Sequence, residues 1–392
     1  MEQSLNRKIG VVHFISRLAT GGMENGIVNI CNRLDRKNFI PSICCLKGLG
    51  DMTERLKPDV KIYNLNFPEG KAPFRFLEMT RFLKRLSPEI AHTHGWGGCS
   101  FDCIIGARLS KVPVVINGEH GGFELKNYQI LMQRFACQLC DTNITVSYAL
   151  KEQFIDTIGL PSNKIKVIQN GVDTDLFNGK HDIIALKNEI FEKFGIDFFN
   201  QNKFIIGTVG SLRPLKNQIM LLQAIVKIKE INPDTNILVL IIGDGGDRYN
   251  LEKFVQENRL SKQVIFLGTR KDIHILFSLI DISVLTTIPG WEGMSNVVLE
   301  SMASGKPVIA TKTVGNDELI KDQANGFLVD VKDVSGLANR IIMLMNNNDL
   351  LRKMGGDAYN FVREKFSIER MVADYEELYL TILNKKSRFQ LQ

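Results

Sequence analysis

The sequence predicts an α/β protein with two doubly wound domains that face a central cleft. Short β-branched runs alternate with longer stretches of helical period, which is typical of parallel sheets covered by helices. The alternation breaks once, between residues 170 and 202, and then resumes in the same style. The 392 residues suffice for two or three domains, each with its own core. We therefore expect an N-terminal domain over residues 1–175, a C-terminal domain over residues 176–365 and a final helix over residues 366–392 that packs toward the N-terminal domain.

Short runs rich in β-branched and apolar residues predict the strands. In the N-terminal domain they are Lys8–Ile15, Ile40–Leu46, Ile90–His94, Val112–Asn117, Asn143–Val146 and Lys164–Ile168. In the C-terminal domain they are Lys203–Val209, Ile237–Ile242, Val264–Leu267, Ile282–Leu285 and Val308–Ala310. We expect a ligand at the crevice that the ends of these strands share.

Apolar residues at helical spacing predict the helices between these strands. The first group is Met23–Leu34, Phe76–Arg85, Ser100–Ser110, Asn127–Cys140 and Tyr148–Ile158, and an isolated stretch, Ile184–Phe194, lies in the break. The second group is Asn217–Ile231, Asp247–Glu257, Ser295–Ala303 and Val334–Asn346. The final segment, Phe366–Leu383, places Met371, Tyr375, Leu378 and Leu383 on one face.

Composition excludes several classes of protein. No apolar run approaches the roughly 18 residues of a spanning helix, which excludes an integral membrane protein. The apolar stretch that follows Arg7 and Lys8 is interrupted at Arg17, so it predicts a core strand rather than a signal peptide. Seven scattered cysteines give no disulfide framework and are typical of the cytoplasm, where we expect the protein.

The positive charge lies in the N-terminal half. Residues 1–170 contain 22 Lys and Arg against 15 Asp and Glu, whereas the remainder contains 27 against 28. This surplus favours an anionic partner, such as a membrane surface or a phosphorylated acceptor, although a merely solvated face is equally compatible. The basic contributors are Lys71, Arg75, Arg81, Lys84 and Arg85, around Phe74, Phe76 and Phe82. Because the cations form no long runs and do not interleave with aromatics, we expect no nucleic-acid partner.

The strongest local pattern runs from residue 291 to residue 310. A loop carrying Glu292 leads to a helix opened by Ser295, whose free backbone N–H groups make an anion site suited to a diphosphate. Glu300 lies more than a turn inside that helix and can reach back toward the same ligand. Two carboxylates beside a phosphate would repel it unless they bound hydroxyls, which a ribose or hexose supplies. The alternative is a surface Glu292 and a Glu300 in an exposed salt bridge.

Glu292 and Glu300, separated by seven residues and followed by Ser-Met-Ala-Ser-Gly-Lys-Pro-Val-Ile-Ala, resemble the paired-glutamate motif of glycosyltransferase family 4, retaining enzymes of the GT-B fold. The resemblance covers nearly the whole chain and includes Gly21–Glu24, Gly118–Gly121, Val167–Asp173, Gly207–Lys216 and Ile242–Gly245. The motif Glu-Gly-Met-Ser-Asn looks most like the corresponding motif of the exopolysaccharide-associated members of the family. Where many relatives carry Phe-Gly, this chain has Met294 and Ser295, so exact contacts to the donor sugar are not carried over.

The resemblance implies a role for each site residue. The implied catalytic residues are His120, Arg213, Lys216 and Glu292, and the implied donor-binding residues are Gly21, Gly22, Gly293, Met294, Ser295, Asn296 and Glu300. Glu292 would bind the donor hexose, Glu300 the ribose, and Arg213 with Lys216 the diphosphate. The physics agrees, because a departing nucleotide diphosphate needs positive charge where no metal supplies it. Without the family, an exposed Arg and Lys in a turn set by Pro214 would be the ordinary interpretation.

Glycines and histidines near strand ends complete the candidate site. Gly21 and Gly22 occupy the first strand-to-helix turn, where backbone N–H groups can approach a phosphate or sugar, although a bare turn has the same pattern. The absence of GxGxxG disfavours a nicotinamide oxidoreductase. His120 follows a strand and is implied to reach the donor sugar, whereas His92 and His94 alternate on a strand as core or acceptor-side residues.

Two patterns that imitate metal sites have other interpretations. Asp173-Thr174-Asp175 follows an Asn-Gly turn, where capping is the expected role. The pairs Cys137 with Cys140 and Cys99 with Cys103 would have to converge to hold zinc, and their spacing is not that of a finger. We expect no required metal and no cofactor.

The resemblance therefore predicts an enzyme that moves a sugar from a nucleotide-diphosphate donor, expected to be a UDP-sugar, to an acceptor hydroxyl. The acceptor would be a polyprenyl-linked or growing glycan of a surface polysaccharide, bound on the N-terminal domain, and the C-terminal domain would bind the nucleotide sugar. Two alternatives remain open: a sugar-nucleotide epimerase of the same fold, and a non-catalytic sugar-nucleotide binder.

Overall fold

The structure is a computed structural model that describes residues 8–70, 74–95, 100–121, 125–179, 181–196, 203–290 and 292–389. The chain divides into two compact units. Unit 1 comprises Met1–Gly171 with Ile368–Gln392, and unit 2 comprises Val172–Ser367. The expected junctions, after residues 175 and 365, differ from these by four and two residues. Within the described ranges, no helix combines the length and apolarity that crossing a bilayer requires.

Unit 1 contains a seven-stranded parallel sheet. Its strands are β1 (Ile9–Ile15), β2 (Phe39–Cys45), β3 (Lys61–Asn64), β4 (Ile90–His94), β5 (Val114–Glu119), β6 (Thr142–Thr145) and β7 (Ile165–Val167), in the order β3-β2-β1-β4-β5-β6-β7. The connecting helices are α1 (Gly22–Arg33), α2 (Arg75–Leu86), α3 (Ser100–Leu109), α4 (Asn127–Leu139) and α5 (Tyr148–Ile158). The central strands are buried on both faces, as parallel strands covered by helices require.

Unit 2 contains a six-stranded parallel sheet. Its strands are β8 (Phe204–Val209), β9 (Ile237–Ile242), β10 (Val264–Gly268), β11 (Ile282–Leu285), β12 (Val308–Thr311) and β13 (Gly326–Val329), in the order β10-β9-β8-β11-β12-β13. Its helices are α6 (Thr174–Phe177), α7 (Ile183–Phe194), α8 (Gln218–Ile231), α9 (Arg248–Glu257), α10 (Ile273–Leu279), α11 (Asn296–Ala303), α12 (Asn316–Leu319), α13 (Val334–Met345) and α14 (Asn348–Lys365), after which α15 (Ile368–Phe389) belongs to unit 1. The prediction of two doubly wound α/β domains is confirmed.

The final helix, α15, returns to unit 1. Met371, Tyr375 and Tyr379 are buried in one cluster with residues of β1, β4 and β5, and with Ile30 of α1. The backbone N–H of Asp35 also donates to Glu376 Oε1 over 2.6 Å. Because this cluster covers the side of the sheet opposite α2 to α5, α15 completes the core of unit 1.

Each sheet has one switch point, where the strand order reverses. In unit 1 the chain builds outward from β1 in one direction and from β4 in the other, and in unit 2 it does so from β8 and β11. Ligands of doubly wound folds bind outside the carboxyl ends of the strands at such points. The loops after β1, β4, β8 and β11 are therefore the places in which a site is expected.

The expected basic surface on α2 is only partly present. Arg75 is 5% exposed and its Nη2 donates to the carbonyl of Pro68 over 2.5 Å, so its charge does not face solvent. Phe82 is 8% exposed and packs in the core. Arg81, Lys84 and Arg85 are exposed. Lys71 lies outside the described residues.

Candidate active site

The loops after β8 and β11 bring the predicted Lys216 and Glu292 into contact. Lys216 Nζ lies 3.0 Å from Glu292 Oε1, and the two side chains are only 22% and 18% exposed. Lys216 ends a short 3-10 turn, Pro214–Lys216, whose first residue is a proline that favours this backbone. This partly buried ion pair disfavours the alternative of a surface Glu292.

Hydrogen bonds join these two loops. The backbone N–H of Ile288 donates to the carbonyl of Leu215 over 2.9 Å. Thr286 Oγ1 donates to the carbonyls of Lys216 and Asn217, over 3.2 and 2.8 Å. Because Thr286 directly follows β11, the end of that strand positions the turn that carries Lys216.

Some charged groups of the two loops have partners among the described residues and others do not. Glu292 Oε1 is paired with Lys216, but Oε2 is buried and accepts no hydrogen bond from the described residues. Arg213 is exposed, and its guanidinium forms no ion pair with any described side chain. The site therefore offers one carboxylate oxygen to a hydroxyl donor and one cation to an anion.

Helix α11 begins beside Glu292. Ser295 is its N-cap residue, yet its side chain makes no capping bond, and its buried Oγ has no partner among the described residues. The Ser295 side chain thus does not supply the acceptor that an N-cap serine normally gives to the first N–H groups of a helix. An uncapped helix start with an unpartnered hydroxyl is suited to a phosphate group. The side chain of Met294 is only 4% exposed and belongs to the core.

Gly315, which follows β12, supports the loop that holds Glu292. Its φ of +86° lies in the left-handed region, and a methyl group on it would lie 2.1 Å from the carbonyl oxygen of Gly293. Only glycine meets both conditions without moving the backbone. Gly243, after β9, approaches Gly210, after β8, in a similar way. A methyl group on Gly243 would lie 2.0 Å from the carbonyl oxygen of Gly210.

Four of the six histidines meet at the switch point of unit 1. His13 lies on β1, His92 and His94 on β4, and His120 directly after β5. His13 Nδ1 and His94 Nε2 are 2.9 Å apart, and His94 Nδ1 and His120 Nε2 are also 2.9 Å apart. These three rings form a continuous hydrogen-bonded row, which we call the histidine row.

Burial keeps the histidine row neutral. It lowers the pKa of His13 to about 3 and that of His120 to about 4, and it holds the pKa of His94 well below 6.5. In each imidazole pair one nitrogen donates and the other accepts, so the tautomer of one ring fixes that of the next. The row can therefore fix the tautomer and orientation of His120.

Nearby histidine nitrogens could also hold a metal. His13, His92 and His94 each offer a ring nitrogen, and these atoms lie within 4.8 Å of one another. Both nitrogens of His94 already take part in the histidine row, and His92 Nδ1 lies 2.8 Å from the hydroxyl of Tyr379. Nε2 of His13 and Nε2 of His92 are buried without a described partner. A metal would have to displace hydrogen bonds of His94.

The glycine turn after β1 already contains a carboxylate. A methyl group on Gly21 would lie 2.3 Å from Glu24 Oε2, so the Glu24 side chain folds back over the start of α1. The pKa of Glu24 is raised by burial, although its own backbone N–H hydrogen-bonds to it. A carboxylate at this position suits sugar hydroxyls better than a phosphate, because it accepts hydrogen bonds and repels anions. Of the two groups expected at the turn of Gly21 and Gly22, a phosphate and a sugar, the sugar is therefore the better fit.

The remaining metal-like patterns have structural roles. Asp173 caps α6 by accepting a bond from the backbone N–H of Leu176 over 3.0 Å, which confirms the capping interpretation. Cys103, Cys137 and Cys140 are buried thiols, and burial raises the pKa of Cys140 to about 12. A thiol that stays protonated is a poor metal ligand. Cys99 lies outside the described residues.

Two family models match the chain. One, described as Glycosyltransferase Family 4, matches residues 20–176, and the other, described as Glycosyl transferases group 1, matches residues 189–361. Together they span most of the chain. A protein of Escherichia coli named UDP-Gal:alpha-D-GlcNAc-diphosphoundecaprenol alpha-1,3-galactosyltransferase is 27% identical over 405 residues, which is 98% of this chain and 100% of that protein.

Solved structures share the fold. A glycosyltransferase from Rickettsia africae has a TM-score of 0.82 at 21% identity, with 96% of this chain and 99% of that chain covered. Alr3699/HepE of Anabaena, solved with UDP-glucose, has a TM-score of 0.78 at 21% identity, with 95% and 100% covered. These likenesses, the two sheets and the family matches agree. The chain belongs to glycosyltransferase family 4 and is a glycosyltransferase with the GT-B fold.

Proposed function

We propose that the protein transfers a sugar from a UDP-sugar to a hydroxyl of a lipid-linked or growing glycan acceptor, with retention at the anomeric carbon, in the synthesis of a surface polysaccharide. The observation that carries the proposal is the contact of Lys216 with Glu292 beside the uncapped start of α11. It combines a cation, a carboxylate and a helix start that the Ser295 side chain does not cap, at the switch point of one sheet. A nucleotide sugar needs all three, because it contains a diphosphate and paired hydroxyls.

Each group has a proposed task. The diphosphate binds at the start of α11 near Ser295 and Asn296, with Arg213 and Lys216 neutralising the charge that grows as it departs. Glu292 accepts a hydrogen bond from a hydroxyl of the transferred sugar, and Glu300 accepts hydrogen bonds from the ribose hydroxyls. The acceptor binds on unit 1, where the histidine row fixes the tautomer and orientation of neutral His120.

Retention fits a same-face substitution. The acceptor oxygen forms its bond to the anomeric carbon on the side from which the diphosphate leaves, and the acceptor proton passes to a departing phosphate oxygen. The products are the glycoside and the nucleoside diphosphate. No protein nucleophile is needed, so positioning and charge stabilisation carry the rate.

The names of the relatives support a UDP donor and a lipid-linked acceptor. The relative from Escherichia coli is named for UDP-Gal and for an acceptor on diphosphoundecaprenol, and the Anabaena protein was solved with UDP-glucose. We propose the same classes of donor and acceptor here, without choosing the sugar, and we propose that the enzyme works at the cytoplasmic face of the membrane.

One incubation separates the proposal from its two rivals. The protein is mixed with a panel of UDP-sugars, first selected by thermal shift because a bound ligand raises the unfolding temperature. Each is tested with and without a polyprenyl-diphosphate sugar. We expect transfer only with acceptor. Isomerised donor without acceptor would indicate the epimerase, and binding without either product would indicate the non-catalytic binder.

We further propose that transfer needs no divalent ion, because Arg213, Lys216 and the start of α11 replace it. Activity in EDTA should equal activity in Mg²⁺ or Mn²⁺. Loss of turnover in EDTA and its recovery with Mn²⁺ would contradict this and make the diphosphate site metal-assisted.

A further inference from the structure

Helix α4 presents an apolar stripe to solvent. Tyr128, Leu131, Met132 and Phe135 are 48%, 64%, 41% and 53% exposed. Their spacing of i, i+3, i+4 and i+7 places them on one face of the helix. We call this face the α4 stripe. Surface helices ordinarily turn such residues toward the core, whereas α4 turns them toward solvent.

A polar contact underneath fixes this orientation. Gln133 is fully buried on the opposite face of α4, with Ala136 and Cys137 beside it. Its Nε2 donates to Glu119 Oε1 over 2.9 Å, and Glu119 is 3% exposed at the end of β5. Turning the α4 stripe inward would bury the apolar side chains but leave Glu119 buried without this partner, which is costly. Exposure of the stripe is therefore built into unit 1.

The charges around the α4 stripe suit an anionic surface. Helix α4 contains no acidic residue. Across the described parts of residues 74–139, which span α2, α3 and α4, the exposed cations are Arg81, Lys84, Arg85, Lys111, Lys126 and Arg134. The exposed carboxylate of the same described residues is Glu78, and α5, which packs against α4, adds Glu152 and Asp156, so the cations remain in excess. These helices cover one face of the sheet, so cations and apolar side chains share that face.

The size of the stripe argues against a second copy of the chain. Side chains of roughly 200 Å² at these exposures leave about 400 Å² of apolar surface, the size of a functional patch. A stable dimer buries about 800 Å² on each partner. A bilayer needs no matching protein surface, and a stripe of Leu, Met and Phe flanked by a Tyr is typical of helices in the interface.

We propose that α4 lies in the surface of an anionic bilayer, with Leu131, Met132 and Phe135 among the acyl chains and the flanking cations on the headgroups. The proposal rests on the proposed function in one respect, because a lipid-linked acceptor places the substrate in that bilayer. Helix α4 follows β5, whose end carries His120, so docking would hold unit 1 beside the acceptor it binds.

Vesicle sedimentation with the full chain tests the proposal. The test variant is Leu131→Gln with Phe135→Gln, and the control is Ile184→Gln with Phe191→Gln. The control pair is 59% and 50% exposed on α7 of unit 2, so it removes the same amount of exposed apolar surface elsewhere. With phosphatidylglycerol vesicles, we expect the test variant to bind at least about tenfold more weakly than wild type and the control to bind normally.

Other outcomes overturn the proposal. Equal binding by the test variant and wild type would remove α4 as the docking helix. If the wild type failed to bind vesicles at low salt, a bilayer would be excluded as the partner of the α4 stripe. If the wild type were a dimer and the test variant a monomer, the stripe would be an interface with a second copy. Equal binding to neutral phosphatidylcholine vesicles would remove the role of the cations.

A kinetic measurement keeps this proposal apart from the proposed function. With an acceptor on a short, water-soluble chain, the test variant should turn over like wild type, whereas with the acceptor in vesicles its kcat/KM should fall about tenfold. Vesicle binding without any transfer would reject the proposed function and leave the docking helix standing. Transfer with equal rates for both acceptors in both proteins would reject the docking helix alone.

Discussion

Two anions can pair with Lys216, the Glu292 carboxylate and a bound diphosphate, and both determine the effect expected when Lys216 is replaced. In the present structure it pairs with Glu292 at 3.0 Å, and a bound diphosphate would compete for the same ammonium. Removing Lys216 leaves the Glu292 carboxylate unpaired next to the place proposed for the diphosphate. Lys216→Ala should therefore be more harmful than Arg213→Ala, because it combines a lost attraction with a new repulsion.

We expect Arg213→Ala and Lys216→Ala each to lower kcat/KM about a hundredfold or more, as loss of one group of a charge-stabilising site does. Lys312→Ala is the control, because Lys312 forms a comparable 3.0 Å pair with Asp330 on the exposed surface. Steady-state kinetics with circular dichroism measures both effects. Near-normal turnover in a folded double variant would remove the two cations from the mechanism.

The two glutamates should separate in nucleotide binding. Glu300→Gln should weaken binding of free UDP, because the proposed ribose contact belongs to the nucleotide. Glu292→Gln should spare UDP binding and damage transfer, because its free Oε2 is assigned to the sugar that UDP lacks. Calorimetry with UDP decides, and equal losses of affinity in both variants would reject this division of roles.

The histidine row predicts an ordered series of variants at one position. The amide of Asn can replace Nδ1 of His94 and keep the bond to His120, whereas the amide of Gln can replace Nε2 and keep the bond to His13. We expect His94→Asn to retain most of kcat, and His94→Gln to lose about tenfold or more with KM little changed. If His94→Gln matched His94→Asn, the orientation of His120 would not depend on the row.

Strands buried on both faces were predictable, whereas two of the four edge strands were missed. The sequence predicted β9 and β11 with the observed ends because every residue in them is buried and apolar runs mark them. It missed β3, at one edge of its sheet, because three of its four residues are exposed and no apolar pattern remains. It also missed β13, the four-residue edge strand of the other sheet.

Helix α14 was missed because of its glycines. Gly355 and Gly356 lie in its interior, where each glycine disfavours a helix by about 1 kcal/mol relative to alanine. The reason for Gly355 appears only in three dimensions. A methyl group on it would lie 2.2 Å from the oxygen of Gly305, which directly follows the Ser304 C-cap of α11. Close packing of the backbone of α14 outweighs the local preference.

The candidate site was predicted by its residues but not by its contacts. The resemblance named Glu292 and Lys216, yet their ion pair depends on loops that are 70 residues apart and meet through Thr286. His13 and Gly315 were missed altogether. A single histidine in an apolar strand and a single glycine after a strand give no local pattern, because their roles depend on partners that are distant in sequence.

The loop after β12 supports the one after β11, and Gly315→Ala tests that support. A methyl group would meet the Gly293 oxygen at 2.1 Å in a strained backbone, so the loop that carries Glu292 must move. We expect kcat/KM to fall about a hundredfold, as displacement of catalytic groups by about 1 Å can do. Gly246→Ala is the control, since nothing lies within 4 Å of its methyl position. Unchanged turnover in Gly315→Ala would show that the loop tolerates the shift.

The two units share one chain, but unit 1 is completed only by its last helix. Tyr375 and Tyr379 of α15 cover the histidines on β1 and β4, and the Tyr379 hydroxyl hydrogen-bonds to His92. Three imidazoles are thereby sealed in the core of unit 1, which also contains the half-buried His120, whereas His181 and His274 lie in unit 2 with partial exposure. The units should therefore differ in their response to acid.

Unit 1 should lose stability steeply as the pH falls below about 6.5. Burial lowers the pKa of His13 to about 3 and holds those of His92 and His94 well below 6.5, whereas in the unfolded chain all three return to about 6.5. Between pH 6.5 and about 4 the unfolded state therefore binds more protons, and the free energy of unfolding falls as the pH is lowered. Each of these imidazoles contributes about 1.4 kcal/mol per pH unit once the unfolded chain is protonated, so the three together contribute about 4 kcal/mol per unit, and His120, whose pKa burial lowers to about 4, adds to this above that pH.

Urea unfolding at pH 7 and pH 5, followed by hydrogen exchange in each unit, measures this difference. His92→Asn is the informative variant, because its amide can keep the bond to Tyr379 while one titrating group is lost. Its dependence of unfolding free energy on pH should be shallower by about 1.4 kcal/mol per unit. If unit 1 were no more sensitive to acid than unit 2, the histidines would have to be protonated in the folded protein. The neutral tautomers required by the histidine row would then be excluded, because a protonated imidazole has no nitrogen left to accept a hydrogen bond from its neighbour.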